Sequence, residues 1–283
     1  MYSRRGLICG LAGASVAAAQ QAQNPSPMVE HTRPHPRLTK PDPPLPGQRH
    51  KLAPAGTLFI PQKLVGRRTI PLFVHFHGGP WIPEVAATRR GMAAISIDTG
   101  SGSGVYARQF ADRRLFATIL REAETAAQAK LLPVTLTAWS AGHGAIREIL
   151  AVPEYYGQVS RVILLDGLHT GYEGGKPGPL ESRLEPNNLE TFLRFARDAA
   201  TGQKRMTITH SEIFPGTFAS TTETADWLLS RLGLRRATLL RKGPMGTQQL
   251  SEVRRSGLLL FGYAGNSAPD HVDQLHALDW FLR

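Results

Sequence analysis

The 283-residue chain has one cysteine, Cys9. It lies in the N-terminal segment that reads as a cleaved leader, so the mature chain has none. That excludes disulfide staples, thiolate catalysis and cysteine-based metal sites together. A long apolar run is also missing. The longest N-terminal one, Leu7 to Ala19, is too short to span a bilayer. No segment repeats, no second domain stands out, and no long helical insertion is available to form a large lid. Acidic residues are scarce, 22 against 33 Lys and Arg, giving a formal charge of +11. The basic residues are dispersed in pairs such as Arg67-Arg68, Arg113-Arg114 and Arg254-Arg255. No nucleic-acid module accompanies them, so they imply a generally basic surface with at most weak contact with anionic envelope polymers.

The chain starts Met1-Tyr2-Ser3-Arg4-Arg5-Gly6, and the apolar run follows up to Ala19. A basic start, an apolar stretch and small residues before Gln20 predict a secretory signal peptide over 1–19, cut after Ala19. Ser3-Arg4-Arg5 also suits a twin-arginine signal. Gly6-Leu7-Ile8 before Cys9 is no lipobox. The expected mature protein is exported, periplasmic or secreted, with no stable membrane insertion. Residues 20–50 are rich in proline and have no apolar period, which predicts an extended, flexible lead-in. The folded domain is expected over 51–283.

The rest is organised around residues 131–150. An apolar, β-prone half runs to Trp139, and Ala145, Ile146, Ile149 and Leu150 follow at helical spacing. Between the halves stands Ala138-Trp139-Ser140-Ala141-Gly142, a form of the G-x-S-x-G nucleophile elbow with Ala for the first glycine. Small residues two places either side of the serine let strand and helix meet at a sharp turn. That turn lifts the Ser140 hydroxyl clear of the sheet and aims the Ala141 N–H at a reacting oxygen.

Other strands are expected at Gly56–Ile60 within the stretch Leu52–Val65 (an edge strand), Thr69–Phe76, Met92–Asp98, Val159–Leu165, Lys204–Thr209 and Gly257–Tyr263. Helices are expected at Ala107–Ala129, Asn188–Ala200, Thr221–Leu232 and Asp270–Arg283. Residues 234–256 fit a short strand or hairpin. The alternation predicts a mostly parallel α/β sheet covered on both faces.

A serine nucleophile needs a base, an orienting acid and an oxyanion hole. His271, between the last strand and the last helix, is the candidate base. His276 is the weaker one, being committed to a helix face. Two acids compete: Asp166, which ends the run Val162-Ile163-Leu164-Leu165, and Glu212, one strand later; Asp166 is preferred. In His77-Gly78-Gly79-Pro80-Trp81 the Gly79 amide is the candidate second oxyanion donor, since Pro80 has no N–H.

On these residues the stretch from Leu58 to Arg283 resembles the α/β-hydrolases, with Ser140, Asp166 and His271 in the order serine, acid, histidine. The resemblance implies an α/β-hydrolase fold without a large lid. It implies hydrolysis of an ester or related acyl bond in a small molecule or polymer through an acyl-enzyme, with no cofactor. Two features depart from the family pattern: Ala138 in the elbow, and an acid after the earlier strand.

Two other readings compete. A non-catalytic envelope-binding protein could be built on the same scaffold. Metal-dependent hydrolysis could use His75 and His77, two apart and on one strand face if the strand continues; no H-x-x-x-H pattern supports it. The Thr99–Gly104 loop lacks the βαβ setting and acidic ribose ligand of a dinucleotide site, and reads as a flexible loop.

Overall fold

The computed structural model describes residues 37–178 and 182–283. The leader read at 1–19 and the first part of the lead-in, 20–36, lie outside the described residues.

The strands are β1 (Gly47–Lys51), β2 (Thr57–Pro61), β3 (Thr69–Phe76), β4 (Ala93–Ile97), β5 (Lys130–Trp139), β6 (Val159–Leu165), β7 (Arg205–His210), β8 (Ala237–Lys242), β9 (Gln248–Arg255) and β10 (Leu258–Tyr263). They form one open sheet in the order β1-β2-β4-β3-β5-β6-β7-β10-β9-β8. The run from β4 to β10 is parallel. The outer strands β1, β2, β9 and β8 are antiparallel to their neighbours. Residues 234–256, ambiguous in sequence, extend the far edge as the β8–β9 hairpin.

The central strands bury apolar residues on both faces because both faces are covered. On β3, Leu72, Val74 and Phe76 point into one core, with Ile119, Ile146 and Phe192. Phe73 points into a second core, with Ile82, Leu278 and Phe281. Each such side chain contributes about 1.5–3 kcal/mol of burial. The first core lies under the helices α2 (Ser103–Phe110), α3 (Leu115–Ala127), α4 (His143–Ala151), α5 (Pro153–Gln158), α6 (Glu190–Ala200) and α7 (Thr221–Leu232). The second lies under α1 (Trp81–Arg90), α8 (Ala268–His276) and α9 (Leu278–Phe281).

Four expectations need correction. The long helix read at Ala107–Ala129 is two helices: α2 ends at Phe110 and α3 starts at Leu115, with Ala111-Asp112-Arg113-Arg114 as the corner. The edge strand read at Gly56–Ile60 is β2, second from the edge, and β1 from the expected lead-in covers it. The lead-in is therefore ordered where it is described. Arg37 donates to Asp273 at 2.8 Å and to the Pro269 carbonyl at 2.7 Å, and Leu38 N donates to His276 Nδ1 at 3.1 Å. The terminal helix is broken at Ala277 into α8 and α9.

Arg161, buried on β6, holds α9 in place. Its guanidinium donates to the Phe281 carbonyl and, at 3.2 Å, to that of Leu282. Burial lowers its pKa to about 10, and carbonyls at a helix C-terminus are a suitable partner for a buried cation.

Candidate active site

Strands β3, β5 and β6 end side by side, each in a residue with left-handed backbone. His77 has φ 74°, Ser140 φ 49° and Asp166 φ 44°. Non-glycine residues adopt this region at a cost of order 1–3 kcal/mol, and such strain clusters at functional sites. Close backbone approach makes it possible here. A Cβ on Gly142 would sit 2.2 Å from the Phe76 carbonyl oxygen, and one on Gly167 would sit 2.7 Å from Ser140 N. Glycine at both places lets the Ser140 turn wedge between the ends of β3 and β6.

Ser140 starts a single tight helical turn that runs into α4. His143, first in α4, is buried; its Nδ1–H donates back to the Ser140 carbonyl at 3.0 Å. Burial drives the His143 pKa down to about 3, so the ring is neutral.

His271 sits in the first turn of α8, which starts with a reciprocal cap. The Ser267 hydroxyl accepts from Asp270 N, and the Asp270 carboxylate accepts from Ser267 N at 3.1 Å. The elbow reaches the same turn: Trp139 Nε1–H donates to the His271 carbonyl at 2.9 Å, and the two rings lie 4.6 Å apart. His271 is therefore tied to the residue just before Ser140.

The His271 Nδ1–H donates to Asp166 Oδ2 at 2.7 Å. The Asp166 carboxylate is buried and accepts three further hydrogen bonds: Ser211 N at 2.9 Å, Ser211 Oγ at 2.8 Å and Thr221 Oγ1 at 2.6 Å. Burial alone would raise its pKa. The bond and charge of His271, with the Thr221 and Ser211 bonds, outweigh burial and hold the carboxyl well below the usual carboxylate range. An ionised Asp166 can only accept, so His271 carries its proton on Nδ1, leaving the Nε2 lone pair free. Among the described residues no hydrogen bond joins Ser140 Oγ to this ring. The two side chains line one small cavity of about 200 Å³.

A parallel sheet with a left-handed serine turn after its central strand, and a carboxylate-bound histidine past its last parallel strand, decides the architecture. The fold is that of the α/β-hydrolases. In the α/β-hydrolase frame, Asp166 leaves the strand next to the elbow strand, one earlier than Glu212. Glu212 is exposed, and its carboxylate accepts from Gly265 N at 3.4 Å. It is not brought to His271. His276 is turned away as well, its Nδ1 accepting from Leu38 N. No helical lid crosses the site among the described residues.

The oxyanion side is less simple than the sequence suggests. His77, rather than Gly79, lines the larger cleft in front of Ser140, beside Ala141. The His77 N–H is already committed to the Ile97 carbonyl at 3.0 Å, while Gly78 and Pro80 line a neighbouring hollow. The His77 ring stacks on Trp139 at 5.1 Å and donates from Nδ1 to the Tyr106 hydroxyl at 3.0 Å, which donates on to Asp98 at 2.9 Å.

The pairing of His75 with His77 does not form, because β3 ends at Phe76 and the left-handed backbone at His77 breaks the period of two. His75 stays in the core, with its Nδ1 on Thr137 Oγ1 at 2.8 Å and its pKa driven to about 3 by burial. No group of three or more His, Cys, Asp or Glu is placed to hold a metal among the described residues. No described helix is long and apolar enough to cross a membrane.

Several site residues carry no motif in the sequence: His143 and His169, and the Ser211 and Thr221 hydroxyls. Each depends on a fold contact. The 99–104 loop is also part of the site, since Ser103 opens α2 and Ser101 to Gly104 line the cleft.

No family model matches the chain, and no curated protein matches it. Solved structures do. An ester-hydrolase from the metagenome of Lake Arreo is 12% identical, with a TM-score of 0.46 over 86% of this chain and 84% of that one. A structure from work on two fungal esterases of Rhizomucor miehei is 11% identical, with a TM-score of 0.47 over 84% of each chain. An acetyl xylan esterase from Aspergillus awamori is 12% identical, with a TM-score of 0.44 over 83% of this chain and 98% of that one.

Proposed function

We propose that the protein is a serine hydrolase cleaving an ester or related acyl bond through an acyl-enzyme. The observation that carries this reading is the 2.7 Å bond from His271 Nδ1–H to the ionised, buried Asp166, in the cavity that Ser140 lines. Ser140 Oγ attacks the acyl carbon while His271 Nε2 takes its proton. Asp166 keeps the ring in the tautomer that makes this possible and stabilises the imidazolium. The oxyanion is held by the Ala141 amide and an amide of the turn after β3. On that turn His77 N is already bonded and Pro80 has none, which leaves Gly78 and Gly79; Gly79 is the donor proposed. His271 then returns the proton to the leaving alcohol, and water repeats the two steps on the acyl-enzyme.

The basic and then apolar start of the chain supports export, with cleavage near Gln20. A fluorophosphonate probe, which reacts with activated serines, tests the chemistry. Wild-type protein should be labelled on Ser140, with a pre-steady-state burst on p-nitrophenyl acetate, and Ser140→Ala should show neither. Labelling that persists in folded Ser140→Ala would reject the nucleophile.

A further inference from the structure

Two hollows meet at Ser140 and differ in chemistry. The small one, about 200 Å³, contains His271 and is walled by Ile213, Pro215 and Phe218. The large one, about 550 Å³, runs along α4 to Arg147. Thr170, Asn188 and residues 101–104 are among the residues that line it. Phe218 is its one aromatic carbon residue, and no Leu, Ile, Val or Met lines it. A site for a long alkyl chain would be walled by such residues.

Arg147 is fixed in place. Its Nε donates to Glu148 Oε1 at 3.0 Å, and Nη1 donates to Asn188 Oδ1 at 2.5 Å. Asn188 in turn donates to Thr170 Oγ1 at 3.4 Å, and Thr170 donates to the Glu185 carbonyl at 2.8 Å. Glu148 also meets Nη2, at 3.0 Å. A guanidinium has five N–H groups, so two remain for a ligand. No Asp or Glu lines this hollow. Arg147 lies in the second turn of α4, which starts three residues after Ser140, and both residues line the same hollow. Side chains on a helix lean toward its N-terminus, the end at which Ser140 sits.

The base must lie beside the leaving oxygen, so the alcohol belongs in the small hollow with His271. The acyl part is left with the large one. We infer that the acyl group carries a carboxylate, bound by Arg147, several bonds from the reacting carbonyl, and that the alcohol is short. The substrate class is the half-ester of a dicarboxylic acid. This rests on the hydrolase reading above.

The test compares monoethyl adipate with ethyl adipamate, which differ only in a terminal carboxylate or carboxamide. The two carboxyl carbons of an extended adipoyl group lie about 6 Å apart. Ethanol release gives kcat and KM. Wild-type kcat/KM should favour the acid by about tenfold or more. In Arg147→Gln the ratio should fall to about one through a higher KM for the acid, and Arg147→Lys should keep part of the preference. Equal rates on both esters in the wild type, or an unchanged ratio in Arg147→Gln, would overturn the inference while Ser140-dependent turnover left the hydrolase reading standing. If neither ester turns over, calorimetric titration of both into Ser140→Ala decides: tighter binding of the acid that Arg147→Gln abolishes supports the carboxylate site, and equal or no binding of the two removes it.

Discussion

Replacing Asp166 with Asn isolates what the carboxylate does. In the wild type its two oxygens accept four hydrogen bonds, from Ser211 N, Ser211 Oγ, Thr221 Oγ1 and His271 Nδ1. An amide oxygen accepts two, and the amide nitrogen only donates. The Ser211 N–H cannot turn away, so it pins the amide oxygen at the Oδ1 position, where Thr221 also bonds. The amide nitrogen then faces Ser211 Oγ, which can rotate to accept, and His271 Nδ1, which must lose its proton to accept. The proton moves to Nε2, and the ring facing Ser140 has no lone pair to act as base. The expected fall in kcat is roughly 10²–10⁴, or about 3–5.5 kcal/mol of activation energy. Loss of the charge-assisted bonds should cost about 1–3 kcal/mol of stability, seen as a drop of roughly 2–12 °C in Tm. Because the folded carboxyl is held below its ordinary value of 3.8, its contribution is complete above that pH. It disappears as pH falls further, through the folded value, so the gap between wild type and variant should close only under strongly acid conditions. The assays are kcat on p-nitrophenyl acetate, with circular dichroism to establish the fold. A folded Asp166→Asn within about threefold of wild type, or a larger loss in Glu212→Gln, would refute the reasoning.

Ser140→Ala and His271→Ala should each lower kcat by roughly 10⁴ or more, and the double variant should lose little beyond either, because the two act as one unit; comparison of all three rates checks this. Gly167→Ala would bring a methyl group to 2.7 Å from Ser140 N, so the elbow must shift. A loss of about 1–3 kcal/mol and a fall in kcat of at least about tenfold are expected in melting and rate measurements. His75, His143 and His210 have folded pKa values pushed down to about 3, 3 and 4. Between those values and about 6.5 the unfolded chain binds more protons. Stability should therefore drop as pH falls from about 6 to 4, by up to about 1.4 kcal/mol per pH unit for each histidine, and denaturant midpoints across that range should show it. N-terminal sequencing of exported protein should begin close to Gln20; retention of Met1 would point to an anchor instead.

The parallel core was legible because its strands carry apolar runs. The bounds of β3 and β6 match the strands expected from the sequence, and Ser140 stands out through the small residues that its turn demands. Asp166 is preferred over Glu212 in the sequence because it directly ends an apolar run, but the groups that hold it are not legible there. Its partners, Ser211 and Thr221, come from the chain after β7 and the start of α7, and no local pattern marks a serine or threonine as a second-rank support. The corner at Ala111 was missed because α2 and α3 share an apolar spacing across it. The contact of Arg37 with Asp273 was missed because a proline-rich segment shows no period even where its ends are bound. Gly79 illustrates a further limit: a glycine pair after a strand announces close approach, but which of its amides faces the serine depends on the backbone turn at His77.

The grip of Arg161 on the carbonyls of Phe281 and Leu282 ties the middle of the sheet to the segment that carries His271. α9 follows α8 with only Ala277 between them. A cation buried on β6 therefore bears on the setting of a ring at the other end of α8. On the proposed hydrolase reading, loosening α9 should slow turnover before the sheet itself gives way.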